Sequence, residues 1–152
     1  MDVKELVRSA YALMVSFFSI GVQEETVFSE PLFEAKAPWS DGIEKNYVSP
    51  ETGIYFKIWL SVGVTTRAVA QKVFPHAYTL DEIMEHIKET EFTLRALPNL
   101  YNMLREYFEA LGLEEVKCEG NMSGEETVYR LPDGAELAVR IDFDDDIVEV
   151  EA

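Results

Sequence analysis

From residue 114 to residue 152 apolar and charged side chains alternate with a period of two, a pattern that fits a β-sheet with one dry and one wet face. Leu137, Val139, Ile141 and Phe143 point one way and Glu136, Arg140 and Asp142 the other. Val116 with Cys118, and Val148 with Val150, supply matching apolar faces. Pro132-Asp133-Gly134 reads as a hairpin turn with its glycine placed for positive φ, and Asp144-Asp145-Asp146 as the next turn. The spacing predicts four strands, at residues 114–119, 127–131, 136–143 and 147–151. Turns this short force neighbours to run antiparallel. The same segment holds 13 Asp/Glu against Lys117, Arg130 and Arg140, so it carries most of the whole-chain charge of −16. The acid is therefore displayed by a folded meander and not by a disordered tail.

Ahead of the meander the periodicity changes to that of helices. Val3, Leu6, Val7, Ala10, Leu13, Met14, Phe17 and Ile20 recur at helical spacing, with Asp2 as N-cap, Glu5 as its capping-box partner and Gly21 as the expected C-cap. Tyr11, Val15, Phe18 and Val22 form a second apolar stripe, and Ser9, Ala12, Ser16 and Ser19 a line of small side chains. Residues 23–50 are divided by Pro31, Pro38, Pro50 and Ser40-Asp41-Gly42, which predicts short strands and loops. Residues 54–64 are the strongest N-terminal strand, apolar on both faces and so interior to a sheet; residues 65–74 return beside it as strand or helix. Thr79-Leu80-Asp81-Glu82 is a capping box opening a long helix whose stripe runs to Gly112, and Pro98 predicts a kink or a division into two helices. No internal repeat and no low-complexity segment emerges from this reading.

The expectation is one α+β domain over residues 1–152: an antiparallel sheet, including the C-terminal four-strand meander, packed against an N-terminal helix and a long, Pro-kinked helix. A hydrophobic fraction of 47% supports a packed core. Cys118 is the sole cysteine, which excludes an intramolecular disulfide and fits a reducing, cytoplasmic address. Asp2 and Glu5 beside Lys4 and Arg8 spoil the positive start of a signal peptide, and the longest apolar run is too short and serine-broken to span a bilayer. A charge of −16 repels phosphate backbones and anionic lipid, so direct nucleic-acid and membrane partners are disfavoured.

Catalytic patterns are absent from the sequence: there is no nucleophile elbow, no phosphate-cradling glycine loop and no dinucleotide fingerprint. Asp142, Asp144, Asp145 and Asp146 lack the ligand spread of an EF-hand and read as a solvated turn. Glu82 and His86 lie four apart, where carboxylate-bundle metal sites use a spacing of three. His76 near Pro75 has no partner in the sequence to make it a general base, and Gly63-Val64-Thr65-Thr66-Arg67 is too small a loop to define an anion site. Cys118 reads as a core residue on an apolar strand face. Trp39, Tyr47, Tyr55, Phe56 and Trp59 cluster in sequence as core, interface or pocket.

No catalytic, cofactor or metal site is expected. The function expected is non-catalytic protein binding, by an accessory or inhibitor module whose acidic sheet face, at Glu136, Asp142, Asp144, Asp145, Asp146, Glu149 and Glu151, meets a basic partner. One alternative is a small-molecule-binding domain or enzyme with a pocket in the N-terminal half, using the aromatic cluster, Arg67 and His76. The other is a self-assembling structural protein, with a homodimer formed through the N-terminal helix.

Overall fold

The computed structural model describes residues 2–25, 34–36, 43–48, 55–73, 79, 81 and 87–152. Helix α1 spans Val3–Glu25 and is followed by β1 (Glu34–Lys36), β2 (Ile43–Val48), β3 (Tyr55–Ser61) and β4 (Arg67–Val73). Helix α2 spans Ile87–Ala110 and is followed by β5 (Glu114–Asn121), β6 (Gly124–Arg130), β7 (Glu136–Asp142) and β8 (Ile147–Glu151). All eight strands form one antiparallel sheet in the order β1-β2-β3-β4-β8-β7-β6-β5. The expected meander is present and joins the N-terminal strands through the β4–β8 pair, where Ala68 faces Val150 and Ala70 faces Val148. Residues 67–73 resolve as strand, not helix.

Local sequence accounts for most element ends. Asp2 caps α1, its Oδ1 accepting from the Lys4 amide at 3.1 Å while its carbonyl accepts the first helical bond from Leu6. The expected stop at Gly21 does not occur: α1 runs on to Glu25. Gly112 does end α2, with φ 82, its amide bonded to the Glu109 carbonyl and that of Leu113 to the Phe108 carbonyl. α2 passes through Pro98 as one helix and does not divide there. The predicted capping box of that helix lies mostly outside the described residues. Gly134, at φ 91, makes the β6–β7 turn as its sequence predicts.

The topology uncovers a repeat that the linear reading misses. Each half, among the described residues, is one long helix followed by four strands, and exchanging the halves maps the sheet order onto itself. The core follows the same rule. Leu6, Val7, Ala10, Met14 and Phe18 are buried at the same spacing as Ala96, Leu97, Leu100, Leu104 and Phe108. Phe18 stacks on Tyr47 with ring centroids 5.9 Å apart, and Phe108 meets Tyr129 at the same 5.9 Å. Both tyrosines are fully buried. In sequence each is preceded by a glycine five positions earlier (Gly42, Gly124) and followed by a proline three later (Pro50, Pro132). Phe56 and Ile58 correspond to Leu137 and Val139, all buried on the helix side of the sheet. The helices pack on each other and on this face, α1 over β2, β3, β4 and β8, and α2 over β7, β8 and β4.

This arrangement divides the aromatic cluster. Tyr47 and Phe56 fill the core against Phe18, Tyr55 and Trp59 are half-buried, and Trp39 lies outside the described residues. Lys57 sets its ammonium 5.3 Å from the centre of the Trp59 ring.

Close packing of backbone fixes one strand start. A Cβ on Gly124 would sit 2.1 Å from the Ile141 carbonyl oxygen, whereas one on Gly120 would meet the Glu125 side chain at 3.2 Å. The first obstacle is backbone and cannot move without breaking the β6–β7 ladder; the second is a flexible chain. Gly124→Ala is therefore expected to cost about 1–3 kcal/mol or more, and Gly120→Ala clearly less. Urea unfolding of the two variants checks the order, and equal destabilisation would contradict it.

Candidate functional site

The sheet's outer face does not carry the single sign that its sequence suggests. Arg140, central on β7, forms a charge-assisted hydrogen bond from Nε to Glu126 of β6, and its Nη1 lies 3.6 Å from Glu151 and 3.9 Å from Glu149. Glu149 also sits 3.3 Å from Arg67 Nε, and Lys117 of β5 reaches Glu126 at 3.4 Å and Glu119 at 3.5 Å. A chain of ion pairs thus crosses β4, β8, β7, β6 and β5, tying their wet faces together.

The seven residues expected to form an acidic docking face take separate roles. Glu149 and Glu151 belong to that network, and Glu136 lies 3.8 Å from Arg130. Asp142 Oδ1 accepts from the amides of Asp144 and Asp145 at 2.8 and 3.1 Å, organising the β7–β8 turn. Asp146 adopts φ 54 and holds Lys72 of β4, a residue only 8% exposed, through its carboxylate at 3.3 Å and its carbonyl at 2.9 Å. Asp142, Asp144 and Asp145 have no ion pair among the described residues, and of these Asp144 and Asp145 are exposed. The structure brings Glu149 and Glu151 together around Arg140 and leaves the turn aspartates as a separate group. No group of three or more His, Cys, Asp or Glu side chains is arranged to hold a metal ion among the described residues. Glu82, His86 and His76 lie outside those residues.

A second constellation, not picked out in the sequence reading, lies between α2 and the β5–β6 hairpin. Tyr101, Arg105 and Glu109 follow one another at helical spacing on one face of α2. Arg105 reaches Glu125 at 3.2 Å, Glu115 at 3.3 Å and Glu109 at 3.9 Å. The Tyr101 hydroxyl donates to Glu125 at 3.2 Å and lies 2.9 Å from the buried Thr127 hydroxyl; the Tyr129 hydroxyl donates to Glu109 at 3.3 Å. Cys118 stands at the rim, its Sγ 3.4 Å from Glu125. It is exposed, which corrects the expectation of a core cysteine: β5 is the edge strand, and nearly all of its side chains face solvent.

The internal repeat supplies the measure of this cluster. Its tyrosines have counterparts, Tyr11 for Tyr101 and Tyr47 for Tyr129, but Arg105 stands where α1 has Val15 and Glu109 where it has Ser19. In the N-terminal half the Tyr47 hydroxyl reaches the Val15 carbonyl at 3.5 Å. The fold therefore uses the tyrosine in both halves and the arginine in only one. The signal in the sequence was an arginine set into the apolar stripe of α2.

Chemically the cluster is closed to anions, since carboxylates already surround Arg105. Burial pushes the Tyr101 and Tyr129 hydroxyls up to about 12, and the hydrogen bond to Tyr129 raises the pKa of Arg105 further. These are proton-retaining groups at neutral pH, unsuited to general-base work.

A shallow depression of about 470 Å³ opens at the far end of the hairpin, lined by Glu119, Asn121, Glu126, Arg140 and Asp142 with Gly124 exposing backbone. Its charged lining is acidic apart from Arg140. Of the residues expected to line a pocket in the N-terminal half, Tyr47 and Phe56 are core and Arg67 is paired with Glu149, while Trp39 and His76 lie outside the described residues.

Two titrations test this reading. Raised tyrosine pKa values favour the neutral hydroxyl in the folded state, so the stability they contribute is complete below pH about 10 and is lost as pH rises through about 12. In an ultraviolet titration Tyr101 and Tyr129 are expected to ionise at about 12, above the ordinary tyrosine value of 10, and Tyr101→Phe and Tyr129→Phe each to remove one such late step; an unchanged late titration in both variants would contradict it. On the outer face the hydrogen bond from Arg140 holds Glu126 below its ordinary 4.5, while burial pushes Glu149 above it. Glu126 then stabilises the fold above pH 4.5 and loses that contribution as pH falls; Glu149 contributes with the opposite sign, favouring the fold at low pH and losing that as pH rises through its folded value. Arg140→Gln is expected to lower stability at neutral pH by about 1 kcal/mol after solvent screening and to shift acid unfolding upward, whereas Glu149→Gln leaves neutral-pH stability unchanged or higher. Circular dichroism across pH measures both.

Comparison with protein-family models, with curated proteins and with solved structures finds no match to this chain.

Proposed function

We propose that the chain is a non-catalytic binding module, of the accessory or inhibitor kind, that captures a basic protein partner through the acidic rim formed by α2 and β5. The observation that carries this reading is the distribution of uncompensated charge. Glu106 and Glu109 at the end of α2, with Glu114, Glu115 and Glu119 on β5, are exposed and set five acids against two cations, Arg105, which pairs with Glu109 and Glu115, and Lys117, which pairs with Glu119. On the outer face, by contrast, Glu126, Glu149 and Glu151 are interleaved with Arg67 and Arg140 and are largely neutralised. A net negative rim steers an oppositely charged surface into contact and disfavours like-charged ones. Among the described residues no helix is long and apolar enough to cross a membrane, and the strongest charge anywhere on the chain is negative.

The test compares two variants of equal charge change. Glu106→Lys with Glu114→Lys and Glu119→Lys reverses the rim; Glu136→Lys with Asp144→Lys and Asp145→Lys reverses acids elsewhere. Retention on an immobilised lysine-rich protein, at low salt and at about 0.5 M salt where screening is nearly complete over a few ångströms, is expected to fall about tenfold for the rim variant and far less for the other. Equal losses would show that net charge alone governs capture and would overturn the rim as the binding surface.

A further inference from the structure

We infer that the rim recognises its partner by strand addition: an extended, lysine- or arginine-rich segment of another protein pairs with the open edge of β5. This rests on the basic-partner reading and specifies its geometry.

β5 is the longest strand of the sheet, at eight residues, and it stands at the sheet's end with β6 on one side and no strand on the other among the described residues. The opposite end, β1, is three residues long. An open edge presents a row of unpaired amide and carbonyl groups, which proteins ordinarily shorten, cover or guard with charge. Here the edge is long, with a register shift between Glu115 and Lys117, and no strand covers it among the described residues, its side chains being exposed from Glu114 to Asn121 save a half-buried Val116. Its guard is acidic by three to one. Glu114, Glu115 and Glu119 flank it, and the one cation in β5, Lys117, is held by Glu119 and Glu126. A second copy of the chain would bring two such edges and two charges of −16 together. A basic strand meets complementary charge along the same line. The hairpin is also rigid enough to act as a template: Asn121 Oδ1 accepts from the Ser123 and Gly124 amides at 2.8 and 3.2 Å, and Arg105 clamps Glu115 of β5 and Glu125 of β6 to α2.

The depression beside the Gly120–Asn121 end of β5 supplies specificity. Strand addition gains affinity from main-chain hydrogen bonds and selectivity from pockets that take alternate side chains. This one, of about 470 Å³, has Glu119, Glu126 and Asp142 on its border together with Arg140, which pairs with Glu126, and its net negative lining suits the ammonium or guanidinium of the added strand.

The experiment uses the full chain and three labelled octapeptides: one alternating lysine and valine, the same peptide N-methylated along one edge at every other amide, and one alternating glutamate and valine. The lysine peptide is expected to bind, to protect the β5 amides from hydrogen exchange, and to lose about tenfold or more in affinity on N-methylation, because methylation removes the bonding edge and keeps the charge. Equal binding of the methylated peptide would mean charge capture without pairing, overturning strand addition while leaving the basic-partner reading intact. Binding of the glutamate peptide as tightly as the lysine one would overturn the charge argument and both readings with it. If no peptide binds while the chain is still retained by the lysine-rich protein, strand addition fails and the broader reading stands. Glu119→Lys, in an exposed position, is a second check: it is expected to weaken the lysine peptide and to leave the unfolding midpoint nearly unchanged.

Discussion

The pairing of β4 with β8 is the contact on which the architecture depends. Each half of the chain, among the described residues, offers one amphipathic helix and a four-strand meander. Joining them edge to edge removes two open strand edges at once and makes one sheet on which both helices can lie. The residues at the seam fit that role. Ala68 and Ala70 face Val150 and Val148, small against medium, so that two helices can approach the centre of the sheet without crowding. Lys72, held by Asp146 across the same seam, satisfies a buried cation where the strands end.

A two-fold arrangement of this kind has consequences for what its parts can be used for. The core positions answer to packing in both halves, and Phe18 with Tyr47 repeats Phe108 with Tyr129 down to the separation of the rings. Features present in one half only have no such explanation. Arg105, Glu109 and the acidic length of β5 belong to that class, and they occur together. The proposed docking rim is thus the part of the structure that the repeat does not require.

Much of the fold was legible in the sequence, and the exceptions have physical causes. The meander was readable because each of its apolar faces is confined to one side of a strand and each turn carries its own chemistry, as at Gly134. Gly21 misled because a glycine followed by an apolar residue is a sufficient text for a helix stop only if the chain then turns; here α1 continues and the backbone stays helical. Cys118 misled because alternation reports which face a residue shares, not whether anything covers that face at the sheet's edge. The repeat escaped notice because its identities are few and the N-terminal half has the longer connection between its helix and its second strand, so no fixed period survives along the chain.

The candidate site shows the same division. The quantity and sign of the charge were fixed by composition. Its distribution was not. Arg140 turns a row of acids into a neutralising network only because β6, β7 and β8 bring Glu126, Glu149 and Glu151 within reach of one guanidinium, and these residues are far apart in sequence. Likewise Arg105 looked like one polar interruption in an apolar stripe until the β5–β6 hairpin set Glu115 and Glu125 against it. Local sequence determined the helices, the strands and the total charge, because propensity, periodicity and composition act over a few neighbouring residues. Only tertiary structure decided which edge stays open and which carboxylates remain uncompensated, because both depend on partners brought together by the pairing of strands from distant parts of the chain.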